Sequence, residues 1–185
     1  MAGAPAKLVV VDRDGVINED SGEFIKSVAE WRPIAGSLEG IAALTQAGYR
    51  VVVVTNQSGI ARGLLTEEIL RDIHERMRSA VRAAGGELAA VYFCPHHPDD
   101  GCDCRKPRTA LLRRAERELG VALAGVPFIG DRTSDVEAAE AVGARPILVR
   151  TGSGAVAARG MDPGRAEVFD DLGAAARALL AESRG

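Results

Sequence analysis

Five short runs of consecutive apolar residues constrain the fold of this chain more than any other feature. They cover residues 8–11, 51–54, 88–93, 126–129 and 147–149 and are rich in Val and Ile. Apolar runs without alternating polar residues indicate strands that are covered on both faces, as in a parallel sheet. Segments with helical spacing of apolar residues lie between the runs. The sequence therefore predicts an α/β fold, doubly wound, with a mainly parallel sheet and helices on both of its faces.

Capping residues mark where the predicted helices begin and end. The first helix carries the apolar residues of 38–44 and stops near Gly48, and the second begins behind Thr66 with two glutamates in its first turn. Further helices are predicted to end at Gly120, to run from about Ser134 to Gly143, and to cover residues 172–180. The segment 152–164 is predicted to be loose, and we assign no role to it.

Length and charge indicate one domain that acts on a small molecule. The chain has 185 residues, with no evident linker, so we expect a single domain over residues 1–185. A net charge of -3 gives no general attraction for nucleic acid. The first seven residues do not resemble a secretion signal, and no run of about 18 apolar residues occurs. We expect a cytoplasmic monomer with neither a nucleic-acid nor a membrane partner.

All three cysteines of the chain lie within eleven positions and predict a metal site. The candidate ligands are Cys94, His96, Cys102 and Cys104. Four S and N ligands complete a tetrahedron around Zn²⁺ and leave no open position, so the role is expected to be structural. Fe²⁺ in place of Zn²⁺ is not excluded by the sequence. The physical use of such a loop, 94–104, is to place the basic pair Arg105 and Lys106 that follows it.

Polar residues follow four of the predicted strands. They are Asp12-x-Asp14, Thr55-Asn56-Gln57-Ser58-Gly59, Arg105-Lys106-Pro107, and Gly130-Asp131-Arg132-Thr133-Ser134-Asp135. A single Asp after a strand is often only a turn former. The carboxyl ends of parallel strands meet at one edge of a sheet, however, where α/β proteins bind ligands. Converging acids beside a lysine predict a site for Mg²⁺ and phosphate.

These four motifs resemble those of the haloacid dehalogenase superfamily of phosphohydrolases. Longer words resemble its D,D-heptose 1,7-bisphosphate phosphatase family: Asp-Arg-Asp-Gly-Val-Ile-Asn from Asp12, Thr-Asn-Gln-Ser-Gly-Ile-Ala-Arg-Gly from Thr55, and Cys-Pro-His-His with Cys-Asp-Cys-Arg-Lys-Pro. The resemblance spans about residues 8–150. It also assigns the metal-binding histidine to His96 rather than His97.

The resemblance implies a role for each motif. Asp12 is implied to attack phosphorus and form an aspartyl phosphate, with Asp14 as alternating general acid and base. Thr55 and Lys106 are implied to hold the phosphoryl oxygens. The implied Mg²⁺ ligands are the carboxylates of Asp12 and Asp131 and the backbone carbonyl of Asp14.

The implied substrate is a phosphosugar, heptose 1,7-bisphosphate, which loses its 7-phosphate during nucleotide-activated heptose biosynthesis. Only 40 residues separate Asp14 from Thr55, which leaves no room for a large cap domain. Short loops are therefore implied to recognise the substrate: Asp20, Ser21, Gly22, Glu23, Asn56, Gln57, Ser58, Arg105 and Arg132.

Two alternatives and one detail stay open. Histidinol-phosphate phosphatase has a similar metal loop and the same catalytic motifs, although the words after Asp14 and Thr55 favour the heptose family. A zinc-ribbon-like nucleic-acid module is disfavoured by the 4% of aromatic residues and the negative net charge. The sequence does not decide which anomer is preferred. His74, on the second predicted helix, is expected to be solvated.

Overall fold

A single six-stranded parallel sheet forms the centre of the protein in a computed structural model that describes residues 7–183. The strands are β1 (Leu8–Val11), β2 (Arg50–Asn56), β3 (Leu88–Cys94), β4 (Pro127–Gly130), β5 (Arg145–Val149) and β6 (Glu167–Phe169). Their order across the sheet is β3-β2-β1-β4-β5-β6, and each neighbouring pair is parallel. The strand order reverses between β1 and β4, which opens a crevice beyond the carboxyl ends of these two strands.

Helices cover both faces of the sheet and explain the uninterrupted apolar runs. They are α1 (Ser37–Gln46), α2 (Glu67–Ala83), α3 (Ala110–Leu119), α4 (Thr133–Ala141), α5 (Gly154–Arg159) and α6 (Leu172–Glu182). Val9 and Val11 belong to the apolar cluster that includes α1, α2 and α6. The intervening Val10 belongs to the cluster that includes α3 and α4. Both faces of β1 are thus buried, so a polar residue has no suitable position along it.

The α/β class, the parallel sheet and the absence of a large cap domain within residues 7–183 are confirmed. All five predicted strands form, and Thr66 caps α2 by accepting a hydrogen bond from the backbone N–H of Ile69 at 3.2 Å. Two features were missed. Strand β6 has only three partly exposed residues, too few for a periodic signal, and the segment predicted to be loose contains α5.

The organisation as one domain stays a prediction, which the continuous sheet supports; residues 1–6 and 184–185 lie outside the described part. The expectation that the first seven residues do not form a secretion signal concerns residues of which all but one lie outside the described part. Over residues 7–183, the protein contains no helix with the length and apolar character needed to span a membrane.

Candidate active site

Three buried carboxylates and one buried ammonium group meet at the carboxyl ends of β1 and β4. One oxygen each from Asp12, Asp131 and Asp135 lies within 4.8 Å of the others. The Nζ atom of Lys106 lies 3.0 Å from Oδ1 of Asp12 and 2.7 Å from Oδ1 of Asp135, and it donates to the carbonyl of Val54 at 2.7 Å. One positive charge does not balance three ionised carboxylates, so the cluster has a negative excess that a bound cation would neutralise.

Asp131 provides the clearest test of whether the cluster fits a divalent cation. Its side chain is fully buried, and one oxygen, Oδ2, accepts the backbone N–H of Ser153 at 2.8 Å. The other oxygen, Oδ1, accepts no hydrogen bond from the described residues, and its nearest cation is Nε of Arg132 at 3.9 Å. A Cβ atom on Gly15, where φ is +79°, would lie 2.3 Å from Oδ2, so only glycine leaves room here. A buried carboxylate oxygen without a partner fits Mg²⁺, which prefers hard oxygen ligands.

Burial and mutual repulsion shift the pKa values of these acids. Burial and, to a smaller extent, the neighbouring carboxylate of Asp12 raise the pKa of Asp131 to about 8. Burial also raises the pKa of Asp12 to about 6, although the Lys106 ammonium group opposes the shift. For Lys106, burial favours the neutral amine, but Asp12 and Asp135 outweigh it and the pKa lies above its ordinary value. The lysine therefore stays charged while the acids need a cation to ionise fully.

These shifts predict that protein free of added Mg²⁺ loses thermal stability as the pH rises from about 6 to about 8. The folded state binds the Asp131 proton up to pH 8, whereas the unfolded chain releases it near 3.8, so raising the pH through this window favours unfolding. Asp12 acts in the same direction at lower pH. Stabilisation by Mg²⁺ should grow over the same range because the cation favours the ionised acids.

Melting temperatures measured at several pH values with and without Mg²⁺ test this, with chelators omitted because they would also remove a metal from the cysteine cluster. Asp131→Asn, which cannot ionise, should flatten the dependence. A wild-type melting temperature that rises with pH in the absence of Mg²⁺ would contradict the assignment.

The carboxylate of Asp14 is held by a separate network on the cleft side of β1. Arg13 donates to its Oδ1 from Nε and Nη2 at 3.0 and 2.8 Å, and Asn18 and Gln57 donate through their side-chain amides at 2.9 and 2.7 Å. Burial raises the pKa of Asp14, but the Arg13 guanidinium and these hydrogen bonds outweigh it, so the pKa lies below its ordinary value. Unlike Asp12, this acid does not contact Lys106, so the two adjacent acids differ in environment.

The last two residues of β2 supply two further contacts. The hydroxyl of Thr55 accepts a hydrogen bond from Gln57 at 2.9 Å, which leaves its own O–H free to donate. The Asn56 side chain accepts from the backbone N–H of Lys106 at 3.0 Å and donates to its carbonyl at 3.2 Å. Asn56 therefore positions Lys106 from the β2 side.

The four predicted metal ligands, at the end of β3 and in the loop after it, come close enough together to bind one ion. Sulfur–sulfur distances between the cysteines are 3.0, 3.6 and 3.6 Å, and Nδ1 of His96 lies 3.1 Å from Cys104 and 3.7 Å from Cys94. A tetrahedron with Zn–S bonds of about 2.3 Å has edges slightly below about 4 Å. This ligand set therefore fits Zn²⁺. His97 points elsewhere and caps the following turn through a hydrogen bond from Asp99.

A cleft of about 370 Å³ lies above the carboxylate cluster and gathers most of the predicted site residues. Its walls include Asp12, Asp14, Asp20, Gly22, Thr55, Asn56, Gln57, Ser58, Arg105, Lys106 and Arg132. The buried Asp131 lies at the cluster without lining the cleft. Nη1 of Arg105 is buried without a hydrogen-bond partner among the described residues, so it is available to a ligand.

Ser21 and Glu23, also predicted to bind substrate, do not line this cleft. The Ser21 hydroxyl donates to the carbonyl of Phe24 at 2.9 Å and accepts from the N–H of Glu23 at 3.2 Å, so it closes a turn. Glu23 is exposed at the outside of the same turn. The turn instead places Phe24 in the cleft wall, because Phe24 adopts a left-handed φ of 67°.

Several residues of the site were missed from the sequence. Asp135 pairs with Lys106 and accepts the backbone N–H groups of Asp131 and Arg132; its place in the Gly-Asp-x-x-x-Asp motif, four residues after Asp131, was the available signal. The loop predicted to be loose supports Asp131 through Ser153. His74 was expected to be solvated but is buried against Phe93 and the site. No pattern in the sequence pairs it with Arg13, which lies 61 positions away.

Comparisons with known proteins agree with this geometry. Residues 103–175 match a family model described as HAD-hydrolase-like. The chain is 50% identical, over 94% of its length and 97% of the relative, to the D-glycero-beta-D-manno-heptose-1,7-bisphosphate 7-phosphatase of Pseudomonas aeruginosa. It is 48% identical to the D,D-heptose 1,7-bisphosphate phosphatase of Bordetella bronchiseptica, whose crystal structure contains magnesium and phosphate, with a TM-score of 0.92 over 95% of this chain and 99% of that one. The corresponding Burkholderia thailandensis structure is 40% identical, with a TM-score of 0.75 over 95% and 99%.

Proposed function

The chain belongs to the D-glycero-β-D-manno-heptose-1,7-bisphosphate 7-phosphatase family of HAD-like hydrolases, and on that premise we propose that it removes the 7-phosphate of this sugar bisphosphate. The observation that carries the proposal is the match at 50% identity over 94% of the chain and 97% of the relative. The convergence of Asp12, Lys106 and Asp131 in one cleft supports it. The relatives named above favour the heptose substrate over histidinol phosphate, and the Pseudomonas enzyme is named for the β anomer.

We propose that Asp12, Asp131 and the carbonyl of Asp14 hold Mg²⁺, with Asp135 beside them. When bound, the cation supplies charge neutralisation for the carboxylates and the incoming phosphoryl group. Asp12 forms a bond to phosphorus as the bond from phosphorus to the sugar oxygen breaks. The product of this step is an aspartyl phosphate and a free sugar hydroxyl. Lys106 stabilises the equatorial oxygens during transfer, and Thr55 donates its free O–H to the same group.

Asp14 moves the protons of both steps. Because its pKa lies below the ordinary value, Asp14 is ionised in the free protein and has to take up a proton as the negatively charged substrate phosphate binds beside it and raises that pKa. As an acid it then gives this proton to the departing sugar oxygen, and as a base it takes one from the water that cleaves the aspartyl phosphate. The second step releases inorganic phosphate and restores the Asp12 carboxylate. Nearby hydrogen bonds from Asn18 and Gln57 keep the Asp14 carboxyl group oriented between the steps.

The rim of the cleft provides recognition of the rest of the substrate. The buried Nη1 atom of Arg105 has no hydrogen-bond partner among residues 7–183, while Arg132 is paired with Asp20 at 2.6 Å. A guanidinium without a carboxylate partner suits a second phosphate. We propose that Arg105 contacts the 1-phosphate and that Arg132 and Asp20 act on the sugar hydroxyls together with Gly22. Asn56, Gln57 and Ser58 line the wall beside the transferred phosphate.

We propose that the Cys94–His96–Cys102–Cys104 cluster holds a structural Zn²⁺ and that the enzyme acts as a cytoplasmic monomer. A reducing compartment keeps three neighbouring thiols available as ligands, which supports the location. Only four large apolar side chains are exposed among residues 7–183, and they come from four separate segments of the sequence, which supports the monomer.

A panel of phosphate esters tests the function. Phosphate release from the β anomer of heptose 1,7-bisphosphate should require Mg²⁺ and exceed release from the α anomer, from histidinol phosphate and from fructose 1,6-bisphosphate in kcat/KM. Mass spectrometry of the product should find heptose 1-phosphate. Faster release from histidinol phosphate than from either heptose substrate would reject the proposal in favour of the alternative.

A further inference from the structure

A buried arginine connects the proposed acid–base residue to a histidine on α2. Arg13 is 0% exposed, and its Nε and Nη2 atoms donate to Asp14. Its Nη1 atom lies 3.3 Å from Nε2 of His74, which is 7% exposed and comes from the middle of α2. Gln57 completes the network by accepting from Nη2 at 3.1 Å. Side chains from the loops after β1 and β2 and from α2 therefore meet at one guanidinium group.

The chemistry of the Arg13–His74 contact fixes the state of the histidine. A guanidinium group only donates, so Nε2 of His74 must accept, and the imidazole is neutral with its proton on Nδ1. Burial and, to a smaller extent, the charge of Arg13 lower the pKa of His74 to about 3, in agreement with this state. Within residues 7–183, His74 is the only hydrogen-bond partner of the Nη1 atom.

We propose that His74 is a positioning residue, which holds the guanidinium of Arg13 so that Arg13 in turn fixes the Asp14 carboxyl group for proton transfer. The inference rests on the proposed function, since it assumes that Asp14 protonates the leaving group. His74 is remote in sequence from the acid motifs, and it contacts neither the substrate nor Asp14 itself. Removing the Nε2 acceptor leaves Nη1 without its partner and loosens one end of the guanidinium fork. Arg13 then fixes the Asp14 carboxyl group less precisely for proton transfer, although Asn18 and Gln57 still donate to it.

A purely structural role for His74 makes a different prediction. His74 lies on the buried face of α2 with Leu70, Ile73 and Met77, and its ring meets Phe93 edge to face at 5.9 Å between centroids. If the imidazole only fills this space, a substitution lowers stability and affects all substrates equally. If it positions Asp14, the loss depends on how much the leaving group needs a proton. A sugar alkoxide needs one, whereas 4-nitrophenolate leaves as a stable anion.

The experiment compares kcat/KM for heptose 1,7-bisphosphate and for 4-nitrophenyl phosphate, because this ratio reports the first transfer to Asp12. His74→Phe keeps an aromatic ring but removes the acceptor, and His74→Gln restores an acceptor. Met77→Ala removes core volume three residues further along α2, at a side chain that forms no hydrogen bond with Arg13 among the described residues, and serves as the matched control for loss of stability. Should the Phe variant fail to fold, His74→Met provides the same test.

His74→Phe should lower kcat/KM for the sugar phosphate by about tenfold, a fraction of the roughly 10²- to 10⁴-fold that general acid–base catalysis contributes. The value for 4-nitrophenyl phosphate should stay within about twofold of wild type, His74→Gln should recover most of the loss, and Met77→Ala should leave the ratio of the two substrates unchanged. An unchanged sugar-phosphate rate in His74→Phe, or an equal loss on both substrates, would overturn the inference alone.

The failure of the proposed function has a separate signature. If wild-type protein ignores heptose bisphosphate but cleaves another alkyl phosphate such as fructose 1,6-bisphosphate, the substrate assignment fails and the ratio measured with that ester still decides the role of His74. A wild-type protein inactive on every ester would refute the phosphatase function and the inference together.

Discussion

Asp12→Asn is expected to abolish phosphate release, with kcat reduced by at least about 10³-fold. An amide is a far weaker nucleophile than a carboxylate and also removes a negative charge from the cation site. The fold should survive, because Lys106 keeps its 2.7 Å ion pair with Asp135 and its hydrogen bond to the carbonyl of Val54. Steady-state phosphate release measures the loss of activity, and circular dichroism measures whether the fold survives.

The matched control is Asp72→Asn, an equal change of charge at an exposed position of α2 outside the cleft. It should retain wild-type activity. Trapping the aspartyl phosphate provides an independent measurement: acid-quenched wild-type protein should carry a phosphoryl group on the peptide that contains Asp12, and the Asn variant should carry none. Wild-type turnover by Asp12→Asn, confirmed by mass to be free of deamidation, would show that another residue attacks phosphorus.

Cys102→Ala is expected to release the metal of the cysteine cluster and to lower kcat by about tenfold or more. Three ligands bind Zn²⁺ less tightly than four, and the released loop no longer fixes the segment that leads into Arg105 and Lys106. The Asn56 side chain still holds the Lys106 backbone from β2, so activity should fall without vanishing. Metal content by atomic emission, the melting temperature and kcat measure the effect together.

His97→Ala provides the control for this loop. His97 lies directly beside the ligand His96 but caps a turn instead of joining the cluster. It should keep a full complement of metal. If Cys102→Ala retains as much metal as wild type, the four-ligand site is wrong.

Much of the architecture could be predicted from local patterns in the chain. Val9, Val10 and Val11 are all apolar because both faces of β1 are covered, and that single fact leads to a parallel sheet and to a site at its carboxyl edge. The cysteine cluster could be predicted for a similar reason, since its ligands lie within eleven positions and a short loop can bring them around one ion. The resemblance of the motifs to a phosphatase family then supplied the roles of Asp12 and Lys106.

Contacts between distant segments were decided only by the tertiary structure. His74 has the spacing of a helix residue, and nothing local shows that its face of α2 meets Arg13. In the same way, Ser153 reaches Asp131 from a segment without an apolar pattern. The local sequence shows which residues of one element are apolar and which residues cap its ends, because these patterns involve residues that are close together in the chain. The packing of different elements decides which of their side chains surround the same buried charge. This packing became visible only in the folded protein.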